Sequence, residues 1–417
     1  MPSVRRFTSL ICVFVVSLSL VARARAQAQP VDHTHMNMGG DGWLLMQDGA
    51  VFGVFDRQGS TRGGDEFIAP NWWMGMASRK VGASRLTFNA MFSLDPATVG
   101  TDGYGELFQV GESLNGRPLI DRQHPHDLFM QLAAVWRVPL TSSTGLTLAG
   151  GPAGEPALGP VAFMHRASIA EYPFAPLSHH TFDSTHITYG VVTAAVDHGP
   201  FVAEGSVFNG REPDQHRWDF DFGRLDSVSG RFWYRPDDRW EFQVSTGHLT
   251  HPEALEPGNV ERTTTSASWM VRNGTDFTAA AVGWGVNATD DATRQAAFGE
   301  FTRHVGDNSI FARIEVLQLE TNLLLTDMVP PTVAAAARKD PLAAFTFGGV
   351  HDIADRGGFE TGLGAAVTFY AVPDALTPAY GSHPVSFQIY FRIRPPAGTM
   401  GRMWNMRMSQ PMAGHGM

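Results

Sequence analysis

From Trp43 to about Arg394, apolar and polar side chains alternate with a period of two in run after run, and this constrains the fold more than any other feature. Between Arg85 and Leu94 one series is Leu86, Phe88, Ala90, Phe92 and Leu94, and the other is Arg85, Thr87, Asn89 and Ser93, with Met91 the exception. Successive side chains of an extended strand point to opposite faces, so each run predicts a strand with one apolar and one polar face. The pattern returns at Trp240, Phe242 and Val244 against Glu241, Gln243 and Ser245, and at Ile310, Ala312, Ile314 and Val316 against Ser309, Arg313 and Glu315. Turn-forming residues separate the runs, among them Asp197-His198-Gly199-Pro200, Arg272-Asn273-Gly274 and Gly306-Asp307-Asn308. Long amphipathic helical windows are absent, and no stretch after residue 26 is apolar enough to span a bilayer as a helix.

An apolar strand face must meet either a protein core or lipid. The runs are about ten residues long, with short turns alternating with longer loops, and together they predict an all-β fold, a transmembrane antiparallel β-barrel of about sixteen strands, within a range of fourteen to eighteen. A soluble all-β protein is the alternative. In the barrel reading Arg85, Arg137, Arg231, Arg262, Glu300, Arg303, Arg313, Glu315, Glu360 and Arg392 face the lumen. Trp43, Trp72, Trp73, Trp136, Trp233, Trp240, Trp269, Tyr370 and Tyr390 then form aromatic girdles at the membrane interfaces. Gly150 to Ser178, rich in glycine, proline and alanine, reads as a long loop over one mouth or folded into the lumen. An even strand number leaves both chain ends on the periplasmic side.

Residues 1–26 read as a cleaved signal peptide: Arg5 and Arg6 precede a short apolar core, and Ala24-Arg25-Ala26 supplies small residues for cleavage. Export and a barrel together place the chain in the outer membrane of a Gram-negative cell, with membrane lipid and the barrel-assembly machinery as partners. The single cysteine, Cys12, lies in that segment, so disulfides hold nothing together in the remainder. Four of the 31 basic residues also lie there, leaving 27 against 41 acidic ones and a formal charge of −14, which argues against nucleic acid as a partner.

The expected organisation is therefore a signal (1–26), a His/Met periplasmic arm (27–42), the barrel (43–394) and a Met-rich periplasmic tail (395–417). The arm carries His33, His35, Met36 and Met38, and the tail carries Met400, Met403, Met406, Met408, Met412, His415 and Met417. Thioethers and imidazoles suit copper, as Cu(I) or Cu(II), and Ag(I). A solvated arm and a docking helix are the structural alternatives for the two ends.

Two histidine constellations lie inside the barrel region. In His124-Pro125-His126-Asp127 the imidazoles are two residues apart, which in an extended segment turns both the same way. In His179-His180-Thr181-Phe182-Asp183-Ser184-Thr185-His186, three histidines and a carboxylate precede a strand. Convergence of the two would gather metal ligands, with a carboxylate orienting the imidazoles. An Arg/Asp/His network that merely pins a loop is the alternative. Neither spacing matches a dedicated zinc signature. The acidic stretch Asn209 to Asp221 offers oxygen ligands for Ca²⁺, although a solvated outer loop is the stronger reading. A hydrolase using Ser178 or Ser184 with His180 or His186 is the remaining enzymatic option, without a GxSxG elbow or cysteine nucleophile to support it. No catalytic role is expected.

The runs PLIDRQHPHDLFMQLA, HHTFDSTHITYGVV and FNGREPDQHRWDFDFGRLDS resemble a family of Gram-negative outer-membrane β-barrel proteins with His-rich motifs, over about residues 43–394. The tails resemble copper-resistance outer-membrane proteins of the B type, but only at the ends, and this chain departs from that pattern because its methionines are mainly C-terminal. The resemblance implies a membrane and hints at copper. Metal (copper or silver) handling or passage is thus the first expectation for function, and a general porin or solute channel with a structural His/Arg/Asp lumen network is the alternative.

Overall fold

Alternation along the chain becomes, in three dimensions, a wall with two faces. The computed structural model describes residues 42–110, 112–254, 258–290, 292–325, 339–356, 358–395 and 405–410. Sixteen long strands run antiparallel: β1 (Leu44–Arg57), β2 (Asn71–Val81), β3 (Ser84–Phe92), β4 (Phe129–Pro139), β5 (Thr144–Gly154), β6 (Thr188–His198), β7 (Phe201–Phe208) and β8 (Ser227–Tyr234). They continue with β9 (Trp240–Leu249), β10 (Val260–Asn273), β11 (Asp276–Ala288), β12 (Thr293–Val305), β13 (Asn308–Glu320), β14 (Lys339–Arg356), β15 (Phe359–Ala371) and β16 (Val385–Arg394). Each pairs with the next, and β16 pairs with β1 from Val51 opposite Ile393 to Arg57 opposite Phe387, which closes the sheet. Closure leaves no open edge, as hydrocarbon requires because it offers the backbone no water to bond.

Side-chain parity sets the two faces. In β16 Val385, Phe387, Ile389 and Phe391 point outward, while Ser386, Gln388, Tyr390, Arg392 and Arg394 are buried inside. Most of the charges expected in the lumen are there: Arg231, Arg262, Glu300, Arg313, Glu315 and Arg392 are all buried. Arg303 is not. It follows Phe301 on the outward series near the end of β12, where a long cationic side chain reaches the interface. The aromatic expectation divides likewise. Trp43, Trp73, Trp136 and Trp240 are exposed on the outer face, but Trp233, Tyr370 and Tyr390 turn inward, because each needs a polar partner that the lumen supplies and lipid does not.

Short turns such as 82–83, 199–200, 274–275 and 306–307 lie at one end of the barrel, where β1 begins and β16 finishes. The opposite end carries long loops, including 93–128, 155–187 and 209–226. Strand β5 extends to Gly154, so the long loop begins at Glu155, and it folds into the lumen with nearly every residue buried. Its aromatics pack on inward wall residues, Tyr172 on Phe311 at 5.5 Å between centroids and Phe182 on Phe298 at 4.8 Å.

The C-terminal residues 405–410 correct the expectation of a free periplasmic tail. Asn405 N donates to the His165 carbonyl at 2.8 Å, and the Arg407 guanidinium lies 3.6 Å from the centre of the Trp233 ring while pairing with Glu241. Ser409 hydrogen-bonds Glu204, and Met406 and Met408 are buried. Burying two thioethers and a paired, ring-stacked arginine favours docking inside the barrel over solvation. The signal segment, His33, His35, Met36, Met38, Met400, Met403, Met412, His415 and Met417 lie outside the described residues.

Candidate functional site

The buried loop is held by wall charges reaching its backbone and acids. Arg166 forks onto Glu300 of β12 at 2.7 and 2.9 Å and reaches Asp183 at 2.8 Å. Arg313 donates to the carbonyls of Phe174 and Ala175, Arg262 to the carbonyl of His180 and to Ser184 Oγ, and Arg231 to Glu155. Arg392 and Arg394 pair with Glu171. The two legs of the loop touch backbone to backbone at Gly159. Its φ is +78°, and a Cβ there would lie 2.0 Å from the Phe182 carbonyl oxygen, so only glycine fits.

This packing brings the one-turn helix His179–Phe182 and the following turn Ser184–His186 against the segment carrying His124 and His126. The two histidine sets converge. Ring centroids are 6.2 Å apart for His124 and His179, 6.1 Å for His124 and His180, 5.6 Å for His126 and His186, and 5.2 Å for His179 and His186. Carboxylates or a carbonyl hold four of the rings. Nδ1 of His126 lies 2.8 Å from Asp95, that of His179 2.9 Å from Asp183, that of His180 3.2 Å from Glu212, and that of His186 2.8 Å from the Asp183 carbonyl. Since these partners only accept, each Nδ1 carries a proton, and on His179 and His186 burial leaves Nε2 bare. Asp127 pairs with Arg217 at 3.1 Å, and Arg217 also reaches Glu112 at 2.5 Å.

Burial dominates the charges of this cluster. It pushes His124, His179 and His186 down, so they stay neutral, and it pushes Asp127 up to about 6 against the pull of Arg217. Burial would lower His180 too, but Glu212 and Glu253 outweigh it and hold that imidazole well above its ordinary value. His180, Glu212 and Glu253 are the group among the described residues whose ligand-type atoms come within 4.8 Å of one another. Glu212 is therefore not part of a solvated outer loop, and neither is Arg217; both turn inward from the 209–226 segment. Asp214 and Asp221 stay at the surface, where Asp221 accepts from the Asp214 backbone at 2.9 Å. Ser178 Oγ donates to Glu315 and Ser184 Oγ accepts from Arg262, so these hydroxyls are bonded to groups other than imidazoles.

Asp95, Glu112, Arg217 and Glu253 complete the cluster and were not singled out from the sequence. Asp95, Arg217 and Glu253 lie far from both His motifs along the chain and Glu112 is twelve residues before His124, and loop packing brings them all close.

A closed, sixteen-stranded antiparallel wall with a loop folded into its lumen is the fold of outer-membrane porins. No known family's sequence profile matches the chain and no curated protein matches it, so the likeness to copper-resistance proteins of the B type finds no support there. Solved structures do match. One is an OprB of Pseudomonas putida at high pH, with a TM-score of 0.53 and 7% identity over 85% of this chain and 94% of that one. Another is an anion-selective porin from Comamonas acidovorans, with a TM-score of 0.51 and 10% identity over 85% of this chain and all of that one. At such identities the likeness is one of fold.

Proposed function

We propose that the chain is an outer-membrane channel of the porin class that passes small polar solutes along a narrow path, with the 155–187 loop as its constriction. The observation that carries this reading is the fork of Arg166 on Glu300, a buried ion pair that fastens the loop to the lumen-facing wall. An apolar exterior implies membrane lipid as the surroundings, and a signal peptide and the barrel-assembly machinery as the route there. Long loops then face outward and short turns face the periplasm. The test is single-channel conductance of the purified, folded protein in planar bilayers. Discrete small steps that grow when Arg166→Met loosens the loop are expected. A folded barrel without conductance in either form overturns the reading.

Metal handling is the second reading, and one observation favours it: His180, Glu212 and Glu253 surround one point with imidazole and carboxylate groups. Their chemistry suits a borderline divalent ion such as Cu(II) better than Ca²⁺. Titration of the folded protein with Cu(II) should show a site that His180→Ala removes. Unchanged binding sinks it.

A further inference from the structure

On the other side of His186 lies a second pocket with different walls. Met74 of β2, Met91 of β3, Met164 of the buried loop, and Met406 and Met408 of the C-terminal segment line one small cavity of about 20 Å³. His165, His186, Gln131, Glu155, Ala162 and Arg407 complete the lining. All five methionines are buried. They come from four separate parts of the chain, so the gathering is a product of the fold. Gly154 makes room for one of them: a Cβ there would lie 2.5 Å from the Met408 sulphur.

Two features separate this pocket from ordinary methionine packing. Both histidines present a buried ring nitrogen without a hydrogen-bond partner, Nδ1 of His165 and Nε2 of His186. Leaving a buried polar atom unsatisfied is costly, so two beside one cavity single the place out. His186 is moreover set in the ligating tautomer, because its Nδ1 donates to the Asp183 carbonyl and its bare Nε2 is the orphaned atom. The cavity volume matches a single small particle, roughly that of one water. A water would find polar partners in Gln131 and Glu155 but none in five thioethers, whereas a soft cation is served by the thioethers and the imidazoles alike.

The geometry points to a lumenal site for a soft monovalent d¹⁰ cation, Cu(I) or Ag(I), held by thioethers of Met74, Met91, Met164 and Met406 together with the imidazoles of His165 and His186. The two charged groups in the lining are each paired, Glu155 with Arg231 at 3.0 Å and Arg407 with Glu241 at 3.1 Å, so neither leaves an unbalanced charge at the cavity. Residues 405–410 supply Met406 to the site and Met408 to its wall, so the docked C-terminal segment is part of the site, and Asn405 N to His165 O ties it there. Neither solute conductance nor the His180 carboxylate cluster is required.

The test uses the full chain folded in detergent. Cu(I) affinity is measured against a chromophoric chelator and Ag(I) uptake, free of redox chemistry, by mass spectrometry. These are compared for the wild type, Met74→Leu/Met91→Leu and a Met46→Leu control away from the cavity, with folding checked by heat-modifiable gel mobility. Leucine keeps the apolar volume and removes the sulphur, so the double variant should lose one tight equivalent, weakening by at least about tenfold, while the control keeps it. The terminal methionines are unchanged throughout, so their binding cancels. X-ray absorption of the wild type with one equivalent bound should show mixed sulphur and nitrogen neighbours, and this measurement decides if the double variant fails to fold. Equal affinity and stoichiometry in the folded variants, or neighbours lacking sulphur or nitrogen, overturn the site; either means the cavity holds a water only.

Discussion

His186 stands between two regions that the same loop builds in opposite ways. On one side the imidazoles of His126, His179 and His180 are each held by a carboxylate, and arginines close the network. On the other, thioethers surround two ring nitrogens that nothing satisfies. The first region spends most of its polar groups on each other and thereby anchors the loop. The second sets two unpartnered ring nitrogens among thioethers, which is what a binding site for a soft ion requires. Being near histidines is therefore not the mark of such a site; unpartnered imidazole nitrogens beside gathered sulphur are.

The contrast breaks most visibly at Arg166. Arg166→Met strands Glu300 and Asp183 without their cation in a buried setting, which should cost about 3–5 kcal/mol in urea unfolding and raise conductance as the loop loosens. A smaller loss, about 1–3 kcal/mol, is expected for Asp95→Asn, because His126 Nδ1 loses its carboxylate while the Asn71 amide keeps an acceptor.

The pH response sharpens the same division. His180 is raised in the folded state, so its contribution is fully present below the unfolded value near 6.5 and is lost as pH rises through the higher folded value. The groups facing it are Glu212, Glu253, Glu112, His124, His179, Arg217 and Arg262. Protease susceptibility of the loop should rise on the alkaline side in the wild type, and His180→Gln should flatten that rise; an unaltered profile refutes the assignment. The smallest effect belongs to the soft pocket. Met91→Leu without metal should change stability by less than about 1.5 kcal/mol in urea unfolding, since packing is conserved when the sulphur goes. A large loss would mean that the methionines are there to pack.

Much of this molecule was readable in one dimension, and the errors are instructive. Closure into sixteen strands follows from strand-length runs with a period of two, and the lumenal charges follow from parity, with Arg303 misplaced because a charge near a strand end is comfortable on either face. Trp233, Tyr370 and Tyr390 were assigned to girdles because a large aromatic suits both an interface and a packed lumen. The clearest missed signal is Met91, an apolar residue on the polar series of β3. Such an exception in a barrel strand says that something apolar waits inside the wall, and Met74 on β2 says the same.

The residues by themselves determined the wall. Backbone hydrogen bonding, strand parity and the need to match lipid are local and repetitive, so ten-residue patterns carry them in full. They also displayed two of the histidine groups, HxH and HHxxDxxH, as strings, though not His165. What the tertiary structure alone decided is which of those histidines are satisfied. Asp95, Glu112, Glu253, Met164 and Met406 reach their places only when the 93–128 and 155–187 loops, the segment carrying Glu253 and residues 405–410 take up their packed positions. Partnership inside a barrel depends on loops whose length specifies no register, and an imidazole's chemistry is set by the neighbours that packing brings.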